Sequence, residues 1–534
     1  MSKKLKNIGV VSVLTVVSRF LGVWRDALGV GIFGASGLYS AFLAAWTMPN
    51  LFRRLLAEGS LTAAFIPTLQ EEMHERGREG AHRLLSQVTS WLLLVSGVLV
   101  GIGVLLCRNA RLLAGHPDRW YQAADLAALL FPYLIFIALA AACNATLNVY
   151  ERFTEPTLSP IFLNVIMIAS YAGVWWHLAK NPWAEIHWLV GGVLLGGFVQ
   201  FATSAGVLVH AGWRPRLDLS VSPRIVEIGR LMLPGLFGTA IYQVNVTVSR
   251  LLAFSINGAA VTQLFNANRL MEFPIGVFAI AVSTVVYPLI ARHAVEGNRA
   301  AMAEDYRKGL RLILIINVPA AVGLALLGHP IVDFLYRHGR FGADDAAFMA
   351  RLLSFFVVGL PFFSVVSLTV RAFYAVKDTR TPVRVATVDF FVNLGLSVGL
   401  MHLLRADWHR ATEGLVVAST SAIIVQTLLL QRALVRRLPA MTFAPLWPSV
   451  AKVALATALM GAAVRAGWIG LGHAPLSPRA RDVGAIFGLI PLGIALYGGA
   501  LWLLRIEGQE DLAVLLRRFR RGGRARARAA SGAD

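Results

Sequence analysis

Hydrophobic positions in this chain fall in long blocks, not in short alternating stretches. Fourteen apolar runs stand out, at 7–33, 36–57, 84–107, 124–150, 157–179, 186–210, 226–254, 262–290, 309–328, 346–376, 383–404, 412–432, 447–468 and 482–504. An α-helix needs about 20 mostly apolar residues to cross a bilayer, and most of these runs carry no charge in their middle third. A membrane barrel would show strands of roughly ten residues with alternating polarity, and the sequence has none. The pattern predicts an all-α polytopic membrane protein with about 14 transmembrane helices. An even number returns both termini to one side.

Composition agrees. Of 534 residues, 57% are apolar and 15% charged, against roughly 45–50% and about 25% in ordinary globular chains. That is too little charge to coat the three or four soluble domains this length would otherwise suggest. The basic residues set the orientation. With the N-terminus (Lys3, Lys4, Lys6) cytoplasmic, the inner segments hold about 29 Lys and Arg and the outer ones about 12, as the positive-inside rule requires. Both termini are therefore expected in the cytoplasm; an odd count would put the basic tail outside. The run Arg517-Arg518-Phe519-Arg520-Arg521-Gly522-Gly523-Arg524 is read as an anchor on anionic membrane lipids in preference to a nucleic-acid-binding tail. Cys107 and Cys143 both lie at or in apolar segments, so no disulfide framework is implied. The first apolar run continues past Arg19 without a small-residue cleavage site, and the first span is expected to insert directly.

An internal repeat organises the runs. Phe131-Pro132-Tyr133 leads through Val149-Tyr150-Glu151-Arg152 to Pro156 and Asn164. Leu360-Pro361-Phe362 leads through Tyr374-Ala375-Val376-Lys377-Asp378 to Pro382 and Asn393. The offsets are 229 for the first prolines, 226 for the second and 229 for the asparagines. This sets spans four and five against spans ten and eleven, a shift of six, so the copies run in the same direction as parallel repeats. The expected domains are an N-terminal six-helix bundle (1–215), a C-terminal six-helix bundle (216–440), helices 13 and 14 (441–505) and a basic cytoplasmic tail (506–534), with a site between the bundles.

Ionisable residues within spans are costly and point to function. Spans one and two hold Arg19, Arg25, Asp26, Arg53, Arg54 and Glu58, and span eight holds Arg269 and Glu272. Four arginines facing lipid at mid-bilayer would cost on the order of 10–14 kcal/mol, so they must line water, pair with acids or snorkel to an interface. Arg54 with Glu58 (i,i+4) and Arg269 with Glu272 (i,i+3) are spaced to pair. Asp26 adjoins Arg25, and sequence neighbours diverge on a helix. Arg19 and Arg53 have no acid at contact spacing, although Arg53 lies near a span end and can snorkel. Arg19, Arg25 and Arg53, with Arg269 from the other bundle, are thus the candidate anion ligands. A guanidinium's planar fork suits phosphate, and a diphosphate can engage two or three such forks. For Arg19 and Arg25 to share a ligand the first span must bend, and Gly22 is the expected place; Pro49 and Pro274 are expected kinks in spans two and eight.

Asp389 and Asn393 (i,i+4 in span eleven) are a second constellation. With Gln243 and Asn245 of span seven they offer a candidate site for a coupling cation, but pairing of Asp389 with an arginine such as Arg371 is the preferred reading. Signatures for zinc hydrolysis, paired C-x-x-C sites or ATP binding are absent from the sequence. No cofactor is expected, and energy, if needed, would come from a monovalent-cation gradient or the membrane potential.

Three stretches carry a family resemblance: Ser18-Arg19-Phe20-Leu21-Gly22-Val23-Trp24-Arg25-Asp26, Pro49-Asn50-Leu51-Phe52-Arg53-Arg54-Leu55-Leu56-Ala57-Glu58-Gly59 and Asn268-Arg269-Leu270-Met271-Glu272-Phe273-Pro274. In order and spacing the chain resembles the MurJ (MviN) lipid II flippases of the multidrug/oligosaccharidyl-lipid/polysaccharide exporter superfamily over essentially its whole length. The resemblance implies alternating-access transport of the undecaprenyl-diphosphate-linked disaccharide-pentapeptide precursor of peptidoglycan, from the inner to the outer leaflet of the bacterial cytoplasmic membrane. It implies that Arg19, Arg25, Arg53 and Arg269 engage the diphosphate and that helices 13 and 14 form a groove for the lipid tail. Cell-wall synthesis proteins are the implied partners, and a monomer is expected. The chain departs from the family pattern at Ser40, where some members carry an acid, at Thr47, where some carry a base, and at Asn268, where an Asp is expected.

Other readings predict different residues. A flippase for another polyprenyl-linked glycan would share the positive cavity. A multidrug cation exporter would want acids in the N-terminal half. An enzyme acting on polyprenyl diphosphates would want a clustered acid or metal-ligand motif in a loop.

Overall fold

The computed structural model describes residues 3–55, 61–110, 117–177, 181–276 and 280–507, and no strand occurs among them. The chain divides into two compact units. The first comprises Met1–Leu264 with His338–Gly342 and Leu404–Thr412; the second comprises Phe265–Arg337, Ala343–Leu403 and Glu413 onward.

The first unit holds α1 (Lys3–Phe33), α2 (Gly37–Leu55), α3 (Leu61–Arg108), α4 (Asp118–Leu130), α5 (Tyr133–Val149), α6 (Thr154–Trp175), α7 (Pro182–His210), α8 (Pro223–Ile256) and the start of α9 (Ala260–Pro274). Its core packs α5 against both α3 and α7 through Leu85, Leu92, Cys143, Leu147 and Leu208. At about 1.5 Å per residue, the 48 residues of α3 far exceed a bilayer's about 30 Å hydrocarbon core. The basic segment expected as a loop around Arg76 and Arg78 is instead helical, interrupted at Gly77, whose φ of 65° a glycine adopts freely. Beyond it, Leu94, Val98, Ile102 and Leu105 form an exposed apolar stripe, the surface that lipid covers.

The second unit holds the rest of α9, then α10 (Ile280–Val295), α11 (Arg299–Tyr336), α12 (Ala343–Phe356), α13 (Leu360–Ala375), α14 (Arg380–Leu403), α15 (Trp408–Arg437), α16 (Trp447–His473), α17 (Pro478–Gly484) and, after a π-turn, α18 (Ile490–Leu503). One core joins α10, α11, α13 and α15 around Tyr306, Leu310 and Phe373. A second seats α16 and α18 on α11, where Tyr497 donates to the Ile315 carbonyl at 2.7 Å.

The repeat reappears in the element boundaries. The helices α12, α13, α14 and α15 begin 225, 227, 226 and 226 residues after α4, α5, α6 and α7. Pro132 sits where α4 and α5 bend by 41°, and Pro361 follows a 3-10 turn at Val357–Gly359; proline lacks the donor a continuing helix needs. The turns after α5 and α13 also match. Glu151 and Lys377 both take left-handed φ, 57° and 59°, and the N–H groups of Arg152 and Asp378 both bond the carbonyl five residues back, a Schellman closure.

One difference from the sequence-based domains stands out. They assign α8 to the C-terminal bundle, whereas it packs against α2 and α3 in the first unit. Charge explains the attachment. Arg224 reaches Glu71 at 2.8 Å, Glu72 at 3.3 Å and Glu75 at 2.8 Å on α3, and Glu227 at 3.1 Å on its own helix. The hydrogen bonds it donates to Glu227 and Glu75 push its pKa further above the ordinary guanidinium value.

Nine helical segments among the described residues are long and apolar enough to cross a membrane, or ten if bent α4–α5 is one span. The chain is a multi-pass membrane protein. The four remaining apolar runs lie on α1, α2, α8 and α9–α10, which carry the arginines considered next.

Candidate anion-binding site

α1 is unbroken from Lys3 to Phe33 and presents Arg19, buried Gly22, Arg25 and Asp26. The helix continues through Gly22. Arg25 is the best-defined of these groups. Its Nε and Nη2 donate to Asp26 Oδ1 at 2.9 and 2.6 Å, and its Nη1 donates to Asn164 Oδ1 on α6 at 3.1 Å. The Asn164 amide donates onward to the Ser18 carbonyl at 3.0 Å. The expectation that Arg25 and Asp26 diverge is corrected: adjacent Cβ atoms do diverge, but arginine's long stem lets the guanidinium fold back over its neighbour. Of the five N–H groups on a guanidinium, three are used. One on each terminal nitrogen has no protein acceptor among the described residues, and the side chain keeps 15% exposure.

α2 carries the next set. Pro49 is buried inside a helix that continues to Leu55. Arg53 Nε donates to Asn50 Oδ1 at 2.7 Å, one turn back, which sets its direction. Arg54 is partly buried; Glu58, its expected partner, lies outside the described residues. At the departures from the family pattern, Ser40 Oγ meets Thr262 Oγ1 at 2.7 Å, and Thr47 Oγ1 accepts from Arg250 Nη1 of α8 at 3.2 Å. Neither Arg250 nor the part Asn164 plays was foreseen. Arg250 sits near the end of an apolar run and was legible as another intramembrane arginine.

In the second unit, Arg269 Nη1 lies 3.7 Å from Glu272 Oε2, and Asn268 Nδ2 donates to Glu272 Oε1 at 3.0 Å. The i,i+3 pair thus forms, and Asn268 shares its acid. Pro274 ends α9, and a π-turn follows at 275–276. Asp389, Asn393 and Ser397 form a buried stripe on α14. Asn393 Oδ1 accepts from Ser397 and Ser419, both at 3.3 Å. Gln243 is buried on α8 and Asn245 partly so, both in the first unit. Among the described residues there is no cluster of three His, Cys, Asp or Glu able to hold a metal.

The family model for lipid II flippase MurJ matches residues 30–472. The chain belongs to the MurJ family. It is 32% identical over 529 residues to a probable lipid II flippase MurJ of Vibrio cholerae serotype O1, covering 95% of this chain and 97% of that one. It is 31% identical over 551 residues to a probable lipid II flippase MurJ of Rhizobium meliloti, covering 99% of each. MurJ proteins are flippases, transporters and not enzymes. Solved structures agree on the fold: a lipid II flippase MurJ in an inward closed conformation has a TM-score of 0.75 at 22% identity, over 94% of this chain and 99% of that one. An inward-facing multidrug resistance MATE transporter of the MOP superfamily has 0.63 at 15% identity, over 80% and 99%. The MurJ family model begins after Arg25 and so does not reach the α1 arginines.

Proposed function

We propose that this protein carries lipid II, the undecaprenyl-diphosphate-linked disaccharide-pentapeptide, from the inner to the outer leaflet of a bacterial cytoplasmic membrane. The observation that carries the reading is Arg25, oriented by Asp26 and Asn164 inside a membrane unit, with one N–H on each terminal nitrogen that meets no acceptor among the described residues. That pair of donors fits phosphate oxygens, and membership of the MurJ family supplies the substrate. Arg19 and Arg53 on neighbouring helices, with Arg269, complete the proposed diphosphate ligands.

Fourteen spans with both termini cytoplasmic fit this role. The four runs outside the most apolar group are the ones with ligands to offer. The lipid tail stays in the bilayer, with α16 and α18 as its groove. Export of an anion runs with an inside-negative potential, which supplies about 2.3 kcal/mol per charge per 100 mV. The potential is the simpler proposed drive; the alternative is a monovalent cation held near Asp389 and Asn393. The protein works as a monomer beside cell-wall synthesis proteins. Arginines outnumber acids along α1 and α2, which disfavours export of cationic drugs.

The test is depletion of the protein in its own host, followed by an outside probe that modifies lipid II. Lipid II protected from the probe upon depletion, with rescue by the parent chain, is the expected outcome. Unchanged exposure removes the assignment.

A further inference from the structure

The last helix of the second unit is seated along one narrow edge. Among the 14 residues of α18, only Gly493, Tyr497 and Leu501 are buried, an i, i+4, i+8 stripe. Gly493 lets that edge approach α16 closely: a Cβ built on it would lie 3.0 Å from Val464 Cγ2. Leu501 adds apolar packing. Such packing orients a helix weakly in a bilayer, because lipid tails are as apolar as the side chains they would replace. Tyr497 differs. Its hydroxyl donates to the Ile315 carbonyl of α11 at 2.7 Å, and a hydrogen bond has direction.

Proline leaves that carbonyl open. Inside an α-helix the Ile315 carbonyl would accept from the N–H four residues on, and residue 319 is a proline within α11, which has no N–H. An unpaired carbonyl is costly where no water reaches it. Asn317 does not make the repair, since its amide donates to the Ile313 carbonyl at 3.0 Å. The donor comes from α18 instead.

The bond fixes the height and rotation of α18, and with them the face it turns to the bilayer. Gly498 has nothing within 4 Å of an added carbon. Ile494 and Trp502, one turn before and after it, are both exposed, so two bulky side chains flank a gap. Sliding α18 by one residue would turn it by about 100° and carry that gap away. We infer that Tyr497 is a positioning residue for the polyprenyl tail: seated on the carbonyl that Pro319 frees, it holds the α18 half of the groove in register. This role rests on α16 and α18 being the tail groove of the proposed function.

The test is equilibrium binding of undecaprenyl diphosphate and of short-chain farnesyl diphosphate to the full-length protein in lipid nanodiscs. The parent, Tyr497→Phe, Pro319→Ala and the double variant are compared, with melting temperatures measured alongside. The two ligands share a headgroup and differ in tail. Tyr497→Phe keeps the ring and loses the hydroxyl; it is expected to weaken the long ligand about three- to tenfold and to leave the short one unchanged. Pro319→Ala returns the missing N–H to α11, so loss of the hydroxyl is expected to matter less in that background. If Tyr497→Phe weakens both ligands alike, or leaves long-chain binding at the parental value with or without a fall in melting temperature, Tyr497 does not position the tail. The flippase reading then stands without it. An equal loss in both backgrounds shows that the freed carbonyl is not the seat, and also overturns the inference. If the parent itself binds the two ligands equally, the tail groove of the proposed function fails, and the role of Tyr497 with it.

Discussion

Asn164 faces Arg25 with its oxygen and the Ser18 carbonyl with its amide, at 3.1 and 3.0 Å. One side chain on α6 thereby fixes a guanidinium on α1 and ties the two helices. Its repeat counterpart, Asn393, accepts instead from Ser397 and Ser419. The two copies keep the residue and use it differently: one orients a cation, the other closes a hydroxyl cluster.

Asn164→Asp separates holding Arg25 from keeping it charged. The new carboxylate still accepts from Nη1, though it loses the amide donor to the Ser18 carbonyl, and a second anion beside Asp26 cancels the field offered to a diphosphate. Flipping is expected to fall at least tenfold, the cost of about one charge-assisted hydrogen bond, with the protein still folded in the membrane. Outside labelling of lipid II in a complementation strain measures the first, and detergent melting the second. Parental flipping in Asn164→Asp would show that the charge of Arg25 is not used.

Arg53 and Arg54 are expected to separate although they are adjacent. Arg53 is aimed by Asn50, and Arg53→Ala is expected to abolish complementation, as is Arg25→Ala. Arg54→Ala is expected to be milder, because its i,i+4 spacing to Glu58 suits an ion pair as its main role. Growth of a depletion strain carrying each variant decides this, and equal tolerance of all three would defeat the assignment of roles.

Much of this was legible because membrane helices are long and their apolar runs plain. Within the described residues, each of the fourteen runs falls on a helix or a broken helix, and the repeat offsets reappear in the helix starts. What could not be read is lateral contact. The i,i+4 logic that pairs Arg54 with Glu58 counts only one helix, so it missed Asn164 on Arg25 and Thr47 under Arg250, where the partners stand 139 and 203 residues apart. It also placed Asp26 too far from Arg25, because it follows Cβ positions and not the reach of a flexible stem. The attachment of α8 to the first unit was hidden for the same reason, since Arg224 gathers acids from a distant helix.

Gly339 provides a stability test away from the arginines. The segment His338–Gly342 packs on the end of α1, where the Arg340 N–H donates to the Gly31 carbonyl at 2.7 Å. Gly339 has φ 61°, and a Cβ on it would lie 2.1 Å from the Gly31 oxygen. Gly339→Ala combines left-handed strain with a backbone collision, and is expected to destabilise by about 1–3 kcal/mol. Gly395→Ala, on a helix with nothing within 4 Å of the added carbon, is expected to be neutral or slightly stabilising. Melting temperatures of the two purified variants should therefore move apart; equal values would mean that the segment does not bear on α1.

Asp378 should give the fold an acid limit. It sits in the turn before α14, outside the spans, where its oxygens accept from the Thr381 N–H at 3.0 Å and hydroxyl at 2.7 Å and pair with Arg437 at the end of α15. Burial pushes its pKa up, but the Thr381 bonds and the Arg437 charge outweigh that and hold it below the usual carboxylate value. A folded value below the unfolded one, about 3.9, means that the carboxylate contributes its full stability above that pH. The contribution is lost as pH falls through the lower folded value. Asp378→Asn is thus expected to cost about 1–3 kcal/mol at neutral pH, and less as the buffer is taken from pH 5 toward pH 3. Parent and variant melting curves should converge on acidification. A constant gap across that range would show that the Arg437 pairing contributes nothing that titrates.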